Sequence, residues 1–567
     1  MKSEELNKLI NKAKKFGSDF NGTLDSGLFD IPQNTIVITG ESEEDGDYVR
    51  EFCAENHIPE SNIHYYDGED PSNKAVAEFK AKMIKELEID CFFENNPNEV
   101  YWMKQFWSVC PVHYINAKDY VIFSYEMIGL GYFIKLKQEG NNVVIAMLEP
   151  EDAGFTVKGE DEKELDKRRR SVGDGFVTKY PAKMVFKYLK GIKDKEGYFI
   201  DFDFNYGSNY AEELEKMGFK GIFPRKAGRE LETNREKGQE VVKKNYKLLN
   251  IVEEKSFKKV EDALQFINEQ ENVYVVKAND PGINCFVPVS NSDEIDDYRE
   301  EVTNYLEEQK SGLEGKGFML QKKIEDCVES APEVLYINGE PIYAVCCIEN
   351  KFEQDGEKSK QSGCSQDLNF VLDFNSEMAK IGVRDYFPLA KKEKLNNYVD
   401  AGVLVDKEDG KPYFTEFCHS RKGYNAFYGE LAMCPSVSQY FEAVMANTSP
   451  FDSIGAKRFA ASISIFNSCT DDKRFVMPDL QMMVKGDNVW LVDAKKKDDK
   501  IVTAGYNVYT TAVVTGAGDT PEEAVKNCQK HLKEIKMKEM AHRMDTATNE
   551  DYGILSRYYY LRDNNLL

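Results

Sequence analysis

Residues 271–278, ENVYVVKA, form a short apolar run that ends in a lysine, Lys277. Residues 273–276 are Val, Tyr, Val and Val, the β-branched and aromatic types that a buried strand favours. A charge at the end of such a strand must be desolvated and then paired. Lys277 therefore predicts an anionic ligand, such as a nucleotide phosphate. The alternative interpretation is a lysine at the edge of a sheet, in contact with solvent.

A second strand-like run lies well downstream, at residues 412–418, PYFTEFC. It contains Glu416, and Arg421 follows it. A carboxylate on a strand beside a cation is a typical arrangement for holding magnesium against a polyphosphate. The two runs, in this order and at this separation, predict an ATP site between two lobes.

Bulk composition narrows the class of protein. The chain has 567 residues, 41% of them apolar, which is enough for three or four domains with cores of their own. A net charge of −25 argues against non-specific binding to nucleic acid or to an anionic membrane. No apolar run is long enough to cross a bilayer, and the N-terminus lacks an apolar signal-peptide core. Twelve cysteines without a C-x-x-C pair indicate reduced thiols in a cytoplasm.

Residues 1–117 are predicted to form a first unit with alternating strands and helices. We predict strands at 35–39 and 89–93, with helices at 46–56 and 74–87 between them. This alternation predicts a parallel sheet. Residues 14–18, KKFGS, are a poor strand by composition.

The motif Ser18-Asp19-Phe20-Asn21-Gly22-Thr23 gives this unit a family resemblance. The unit resembles the haloacid dehalogenase-like (HAD) phosphohydrolases, whose first motif is D-x-D-G-T. The resemblance makes Asp19 the catalytic nucleophile. The positions that match the later motifs are Thr39 or Ser42, then Lys80, then Glu94.

One departure from this family concerns proton transfer. The family's second aspartate, its general acid, is Asn21 here, and Asn95 and Asn96 are amides where an acid is common. An amide cannot deliver a proton to a leaving group. The resemblance therefore implies a degenerate domain with weak or absent phosphatase activity, and a structural polar turn is the simpler alternative.

Three further units are predicted. Residues 118–224 contain a βαβ pattern whose first turn is Gly129-Leu130-Gly131. Residues 225–445 are predicted to contain a long helix over 230–244, antiparallel strands joined by an Asn338-Gly339 turn, and a polar loop at 354–366.

Residues 446–567 are predicted as the last unit, an α+β domain. Thr520-Pro521-Glu522-Glu523 forms a capping box there. It predicts a helix that continues to about residue 540.

From about residue 118 to 550, the chain resembles the phosphoribosylamine–glycine ligase-like ATP-grasp family. The match lies in residues 275–278 (VVKA), in Glu416-Phe417 and in residues 513–520 (VVTGAGDT). The implied fold is α/β and multidomain: a HAD-like Rossmannoid domain followed by pre-ATP-grasp, ATP-grasp and C-terminal α+β domains. The implied activity is ATP-dependent joining of a carboxylate to an amine through an acyl phosphate, with ATP and Mg²⁺.

The resemblance also implies roles for single residues in nucleotide binding. Lys277 and Arg235 match cations on the phosphates, and Glu329 falls near the acid that holds the ribose. The strand whose backbone reads adenine would contain Gln321, Lys322 and Ile324.

The catalytic and metal positions follow from the same resemblance. Lys351 and Arg421 match catalytic cations, whereas Glu416 and Cys418 match the metal pair. Cys418 replaces the family's asparagine, and a thiolate is a soft ligand that magnesium does not favour. Residues 360–364, KQSGC, are a reduced form of the family's glycine-rich substrate loop.

These departures leave the substrates and the activity open. The carboxylate and amine substrates are expected to differ from those of purine synthesis, as in a virus-encoded relative in a host cytoplasm. One alternative is a non-catalytic nucleotide-binding or structural protein built from decayed enzyme domains. Another is a phosphatase with an appended ATP-binding module, and the oligomeric state stays open.

Overall fold

The computed structural model describes residues 3–155, 157, 159–279, 285–356, 358–419, 423–470, 475–507, 510–547, 550 and 553–567. Within these ranges, the side chains of 358–362 are not described. No helix in the described part of the chain is long and apolar enough to cross a membrane.

The first unit is a parallel sheet with helices between its strands. Its elements are α1 (Ser3–Ile10), β1 (Phe16–Ser18), β2 (Ile36–Ile38), α2 (Asp47–Glu55), β3 (Ile63–His64), α3 (Asn73–Glu86), β4 (Cys91–Glu94), α4 (Pro97–Phe106) and β5 (Val112–Tyr114). The strand order is β3-β2-β1-β4-β5, and every pair is parallel. The parallel sheet was predicted correctly. The poor strand at 14–18 is in fact the central strand, because Phe16 and Ser18 pair with Cys91 and Phe93 in a buried row.

The second unit is another parallel sheet. Its elements are β6 (Asp119–Ser124), α5 (Leu130–Gln138), β7 (Asn142–Met147), α6 (Pro150–Ala153), α7 (Glu160–Ser171), β8 (Thr178–Pro181), α8 (Ala182–Lys190), β9 (Tyr198–Phe202), α9 (Ser208–Lys216) and β10 (Lys220–Gly221). The order β10-β9-β6-β7-β8 means that the chain builds one side of β6 first and then crosses to the other. The point where the order reverses therefore lies between β6 and β9.

The third part of the chain contains a small antiparallel sheet, β12-β14-β13, and most strands of a large one. Its first elements are α10 (Lys226–Thr233), α11 (Arg235–Asn245), β11 (Asn250–Ile251), β12 (Glu254–Phe257), α12 (Val260–Asn268), β13 (Tyr274–Ala278), α13 (Ile295–Glu308), α14 (Lys310–Lys316) and β14 (Phe318–Lys322). The large-sheet strands and their helices are β15 (Cys327–Ile337), β16 (Glu340–Gln354), β17 (Lys358–Val371), α15 (Glu377–Lys380), α16 (Phe387–Glu393), β18 (Asn397–Asp406), β19 (Pro412–Cys418), α17 (Tyr424–Ala432) and α18 (Val437–Met445).

The last part extends the large sheet. Its elements are β20 (Phe459–Asn467), β21 (Gln481–Val484), β22 (Val489–Leu491), β23 (Ala494–Lys497), β24 (Lys500–Thr503), β25 (Thr510–Gly518), α19 (Pro521–His531), β26 (Ile535–Met537), β27 (Met540–Ala541) and α20 (Ile554–Asp563). The large sheet runs β11-β19-β18-β15-β16-β17-β20-β25-β22, so it crosses the predicted boundary at 445/446. A separate small sheet has the order β23-β24-β21-β26.

Three local predictions were wrong. The predicted long helix over 230–244 is interrupted at Asn234, whose extended backbone separates α10 from α11 and whose side chain caps α11. The predicted loop at 354–366 lies largely in β17, because this stretch pairs with β16, and from Gln366 onward also with β20. The helix that starts at Pro521 ends at His531, after which the chain pairs as β26. The predicted Asn338-Gly339 turn is confirmed, with both residues at positive φ.

Candidate functional site

The small sheet and the large sheet approach each other at Lys277. This lysine lies at the end of β13, and only 7% of its surface is exposed. Its Nζ lies 3.5 Å from the backbone oxygen of Thr415 on β19, so the two sheets meet at this point. Burial lowers the pKa of Lys277, and the neighbouring cations Arg235 and Lys351 lower it further. A buried cation beside other cations, near one carboxylate, is the arrangement that an anionic ligand would stabilise.

Arg235 and Glu416 form an ion pair next to Lys277. Arg235 is the first residue of α11, where the Asn234 cap begins a new helix. One of its terminal nitrogens lies 2.9 Å from Oε2 of Glu416. Burial alone would raise the pKa of Glu416, but Arg235, Lys277 and Lys351 together lower it. The carboxylate therefore stays ionised among three cations, although half of its side-chain surface remains exposed.

Lys351 and Glu329 lie on neighbouring strands, β16 and β15. Nζ of Lys351 lies 2.5 Å from Oε1 of Glu329. Burial alone would lower the pKa of Lys351, but Glu329 and Glu349 raise it. The predicted ribose ligand and the predicted catalytic lysine therefore contact each other in this structure. Lys351 also interacts electrostatically with Lys277 and Glu416, which places all of them around one region.

The predicted adenine-reading strand is β14 and the residues after it. The amide of Lys322 donates to Glu253 (2.8 Å) and that of Lys323 donates to Val273 (2.8 Å). These two amides already have partners within the protein. Gln321 is buried, and its Nε2 has no hydrogen-bond partner in the described structure. An unpaired buried donor at this position suits an acceptor on a bound base.

The predicted metal pair lies on one face of β19. Glu416 and Cys418 are two residues apart, and the buried Phe417 between them points to the other face. Directly opposite Cys418 on β18 is Asp400, which the sequence analysis did not single out. Within the described ranges, no group of three or more His, Cys, Asp and Glu side chains could hold a metal. Arg421 lies outside the described residues, so its predicted role has no structural description.

Two more side chains near this region were missed from the sequence. Cys285 interacts electrostatically with Lys277 and Arg235. Glu232 on α10 accepts hydrogen bonds from the His419 amide (3.3 Å) and from Asn205 (2.5 Å). Glu232 lies close in sequence to Arg235, and Cys285 lies close to Lys277, but neither side chain belongs to a motif that would have indicated it.

A second polar cluster lies in the first unit, around Asp19. Nζ of Lys80 lies 2.6 Å from Asp19, 2.8 Å from Glu94 and 2.6 Å from Glu99. The lysine extends from α3 to the carboxyl ends of β1 and β4 and to the first turn of α4. Burial raises the pKa of Asp19, because one ammonium cannot neutralise three enclosed carboxylates. Asp19, Lys80 and Glu94 were predicted from the sequence, whereas Glu99 was not.

A cavity of about 540 Å³ opens beside this cluster. Asp19, Thr39 and Lys80 line it, together with Asn21 and Glu41. The amide of Asn21 donates to Glu41 across 2.6 Å. The residues that the HAD resemblance singled out thus surround one cavity, and the position of the family's general acid is occupied by a hydrogen-bonded amide.

No family model matches this chain, and no curated protein matches it either. Solved structures do match. Phosphoribosylamine–glycine ligase from Thermotoga maritima aligns with a TM-score of 0.53 at 15% identity, covering 75% of this chain and 99% of its own. The biotin carboxylase domain of the 2-oxoglutarate carboxylase from Hydrogenobacter thermophilus has a TM-score of 0.49 at 15% identity, covering 79% of this chain and 98% of its own. L-amino acid ligase from Bacillus licheniformis has a TM-score of 0.45 at 13% identity, covering 74% and 98%. The first likeness shows that about three quarters of this chain has the fold of a phosphoribosylamine–glycine ligase, as the ATP-grasp resemblance predicted.

Proposed function

We propose that this chain is an ATP-dependent carboxylate–amine ligase that works through an acyl phosphate. The observation that carries the proposal is the meeting of Lys277, Arg235, Lys351 and Glu416 where the small sheet faces the large one. Phosphoryl transfer depends mainly on positioning and on neutralising charge, and three cations beside an ionised carboxylate supply both. The fold shared with a phosphoribosylamine–glycine ligase supports the same proposal.

The residues present fit ATP. Lys277 and Arg235 would contact phosphate oxygens, which would give Lys277 the anionic partner that its burial demands. The unpaired Nε2 of Gln321 would donate to an acceptor on the base. Since the amides of Lys322 and Lys323 are bonded within the sheet, the backbone contact to adenine falls to Ile324.

The residues also fit magnesium through Glu416. Magnesium typically keeps several waters and takes one or two carboxylates plus substrate phosphates. A bound Mg²⁺ would supply charge neutralisation at the transferred phosphoryl group. Glu416 is the hard donor of the predicted pair, whereas the Cys418 sulfur is a soft one that magnesium does not favour. Asp400, on the same face, is the nearest further carboxylate by strand register.

The test is to measure ADP release from ATP and Mg²⁺ across a panel of carboxylic acids and amines, using the full chain. We expect release that requires both a carboxylate and an amine, and its loss in Lys351→Met. Exposed Lys258→Met, which changes a lysine on the small-sheet side, is the matched control. ATP binding without any acid- and amine-dependent release would favour the non-catalytic alternative.

We also propose a HAD-like origin for the first unit, with little phosphatase activity. Asp19 lies directly after the central parallel strand and contacts Lys80, which supports the resemblance. Asn21 cannot act as a general acid, a role that typically contributes 10²–10⁴-fold to the rate. We expect slow or no hydrolysis of p-nitrophenyl phosphate by the full chain. Turnover that disappears in Asp19→Asn would contradict this proposal.

A further inference from the structure

A second cavity, of about 260 Å³, lies where the first unit meets the rest of the chain. Its lining comes from α4 of the first unit, from α5, from the segment that joins α17 to α18, and from β22 and β25. This lining shares no residue with the site around Lys277 or with the cavity beside Asp19. Pockets for drug-sized ligands typically measure about 300–1,000 Å³, so this cavity suits a smaller molecule.

Lys135 on α5 brings to this cavity a cation without a carboxylate partner. Its Nζ donates to the backbone oxygen of Asp487 and lies 4.0 Å from the centre of the Trp490 ring. No described carboxylate lies within salt-bridge distance of this nitrogen. Burial lowers the pKa of Lys135 to about 8, against the opposing effect of Glu139 and Glu534. The side chain therefore stays mainly protonated at neutral pH.

Asp487, in the turn before β22, adds an anion without a cationic partner. In the part of the chain that the structure describes, no lysine or arginine nitrogen lies within salt-bridge distance of its carboxylate. Burial and the nearby Glu534 raise the pKa of Asp487 to about 6, whereas Lys74 lowers it, so the group is ionised at neutral pH. Lys135 contacts the backbone of Asp487 and not its carboxylate. Two opposite charges therefore line one cavity without pairing with each other.

The other acid in the lining, Glu139, is already bonded within the protein. Its Oε1 accepts from the Val437 amide (3.0 Å). Its Oε2 accepts from the amide (2.7 Å) and the hydroxyl (2.6 Å) of Ser438. Both oxygens are therefore directed to the start of α18, which leaves Lys135 and Asp487 as the charged groups that a ligand could pair with.

The walls of the cavity offer apolar contacts. Tyr101 and Trp102 on α4 contribute aromatic rings from the first unit, whereas Leu431 and Trp490 come from the rest of the chain. Mostly apolar walls with a few placed polar groups are typical of small-molecule pockets. A ligand with one positive charge, one negative charge and an apolar group would therefore match this lining.

We propose that this cavity is a binding site for an α-amino acid with an apolar side chain, separate from the proposed ATP site. Lys135 contacts the carboxylate of the ligand, Asp487 contacts its ammonium group, and the walls contact its side chain. A ligand with a single charge would leave either Lys135 or Asp487 without a partner. The inference does not depend on the proposed ligase function.

The experiment compares L-phenylalanine with two analogues that each lack one charge. The first, 2-phenylethylamine, has no carboxylate, and the second, 3-phenylpropionate, has no ammonium group. Binding of each compound to the full chain is measured by calorimetry at neutral pH without nucleotide. We expect L-phenylalanine to bind at least about tenfold more tightly than either analogue. It should also raise the melting temperature of the full chain, because it binds the folded state.

Two variants locate the bound amino acid. Lys135→Met should weaken binding of L-phenylalanine by about tenfold and leave that of 2-phenylethylamine unchanged, since this analogue has no carboxylate. Asp487→Asn should weaken binding of L-phenylalanine by about tenfold and leave that of 3-phenylpropionate unchanged. The matched controls are Lys137→Met, at an exposed position of the same helix, and Asp499→Asn, in the exposed turn between β23 and β24. A melting curve without ligand verifies that each variant is folded.

Three results would overturn the inference. The first is no detectable binding of L-phenylalanine to the folded full chain, and the second is equal or tighter binding of either analogue. The third is binding of L-phenylalanine that is unchanged in both Lys135→Met and Asp487→Asn, which would place the amino acid elsewhere, such as at the proposed ligase site. The analogue comparison uses the wild type, so a variant that does not fold leaves the test intact.

Discussion

At the scale of the residue, the proposed nucleotide site depends on Lys277. We expect Lys277→Met to weaken MgATP binding by roughly tenfold to a hundredfold, because a charge-assisted contact to phosphate contributes about 1.5–3 kcal/mol. The melting temperature should hold or rise, since the variant removes a buried charge that lacks a ligand. Titration of MgATP by calorimetry and a melting curve measure both effects. Unchanged affinity would place the nucleotide elsewhere.

Lys80 is the shared cation of three buried carboxylates in the first unit. Lys80→Met leaves Asp19, Glu94 and Glu99 enclosed without their shared cation. Removing one partner of a buried ion pair typically costs about 3–5 kcal/mol, so we expect a clear loss of stability. Lys82→Met on the same helix is the control, because its contact with Glu86 is exposed and 3.9 Å long. Urea denaturation of both variants at neutral pH measures the difference, and equal midpoints would contradict the expectation.

Some of these residues could be predicted from sequence and others could not. A lysine at the end of an apolar strand is a local signal, and Lys277 is buried as that signal predicted. Glu232 gave no such signal, because an acid on a helix is usually solvated. Its hydrogen bonds to Asn205 and to the His419 amide depend on the contact between the second unit and the large sheet, which cannot be predicted from the spacing of residues.

At the scale of the element, Glu139 joins two helices. It caps the C-terminal end of α5, and its carboxylate accepts from the amides of Val437 (3.0 Å) and Ser438 (2.7 Å) at the start of α18. Burial raises its pKa to about 7, although these hydrogen bonds and Lys135 lower it. The helix dipole stabilises a negative charge at a helix N-terminus, but here burial of the carboxylate opposes that stabilisation.

This raised pKa makes the contribution of Glu139 to folding stability depend on pH. Between its unfolded pKa of 4.5 and about 7, the folded chain holds the extra proton, so stability from Glu139 falls as pH rises. We expect Glu139→Gln to lose less stability than the wild type between pH 5 and pH 8, by about 1–3 kcal/mol. Urea unfolding of both proteins at the two pH values measures it. Parallel pH dependences would contradict the assigned shift.

Elements were predicted best where their signal is local. The Asn338-Gly339 turn joins β15 to β16 through its positive φ angles, and the Thr520 side chain caps the start of α19. The β17 strand was missed because its residues are polar, and only pairing with β16 and β20 makes them a strand. The break at Asn234 was missed because an asparagine inside a helical pattern also fits an exposed helix position.

At the scale of the whole molecule, one hydrophobic core joins the predicted second, third and fourth units, and one sheet joins the third and the fourth. A single hydrophobic cluster extends from Tyr120 on β6 to Leu566 near the C-terminus. The predicted boundaries at 224/225 and 445/446 follow the order of motifs along the chain, and they stay predictions. Composition and periodicity identify elements, but strands such as β17 and β20 find each other only in three dimensions, across about a hundred residues.

The contact between the second unit and the large sheet depends on Gly131. A Cβ at this position would lie 2.9 Å from Cβ of Trp490 and 2.9 Å from the Tyr428 ring, and the Gly131 amide donates to the Tyr428 hydroxyl. Alanine gains about 1 kcal/mol of helix propensity over glycine, whereas overpacking typically costs about 1–3 kcal/mol. Tyr428 is stacked on Trp490 with ring centroids 4.8 Å apart, so neither ring can move away easily. The cost of overpacking should therefore exceed the gain in helix propensity.

We therefore expect Gly131→Ala to lower the melting temperature. Gly315→Ala is the matched control, since Gly315 also lies inside a helix, α14, and its Cβ would meet no atom within 4 Å. The Gly315→Ala variant measures the effect of helix propensity without overpacking. It should be as stable as the wild type or more stable by up to about 1 kcal/mol. Thermal unfolding of both variants in one buffer separates the two effects. A Gly131→Ala chain at least as stable as Gly315→Ala would mean that the second unit and the large sheet do not pack at this position as closely as described.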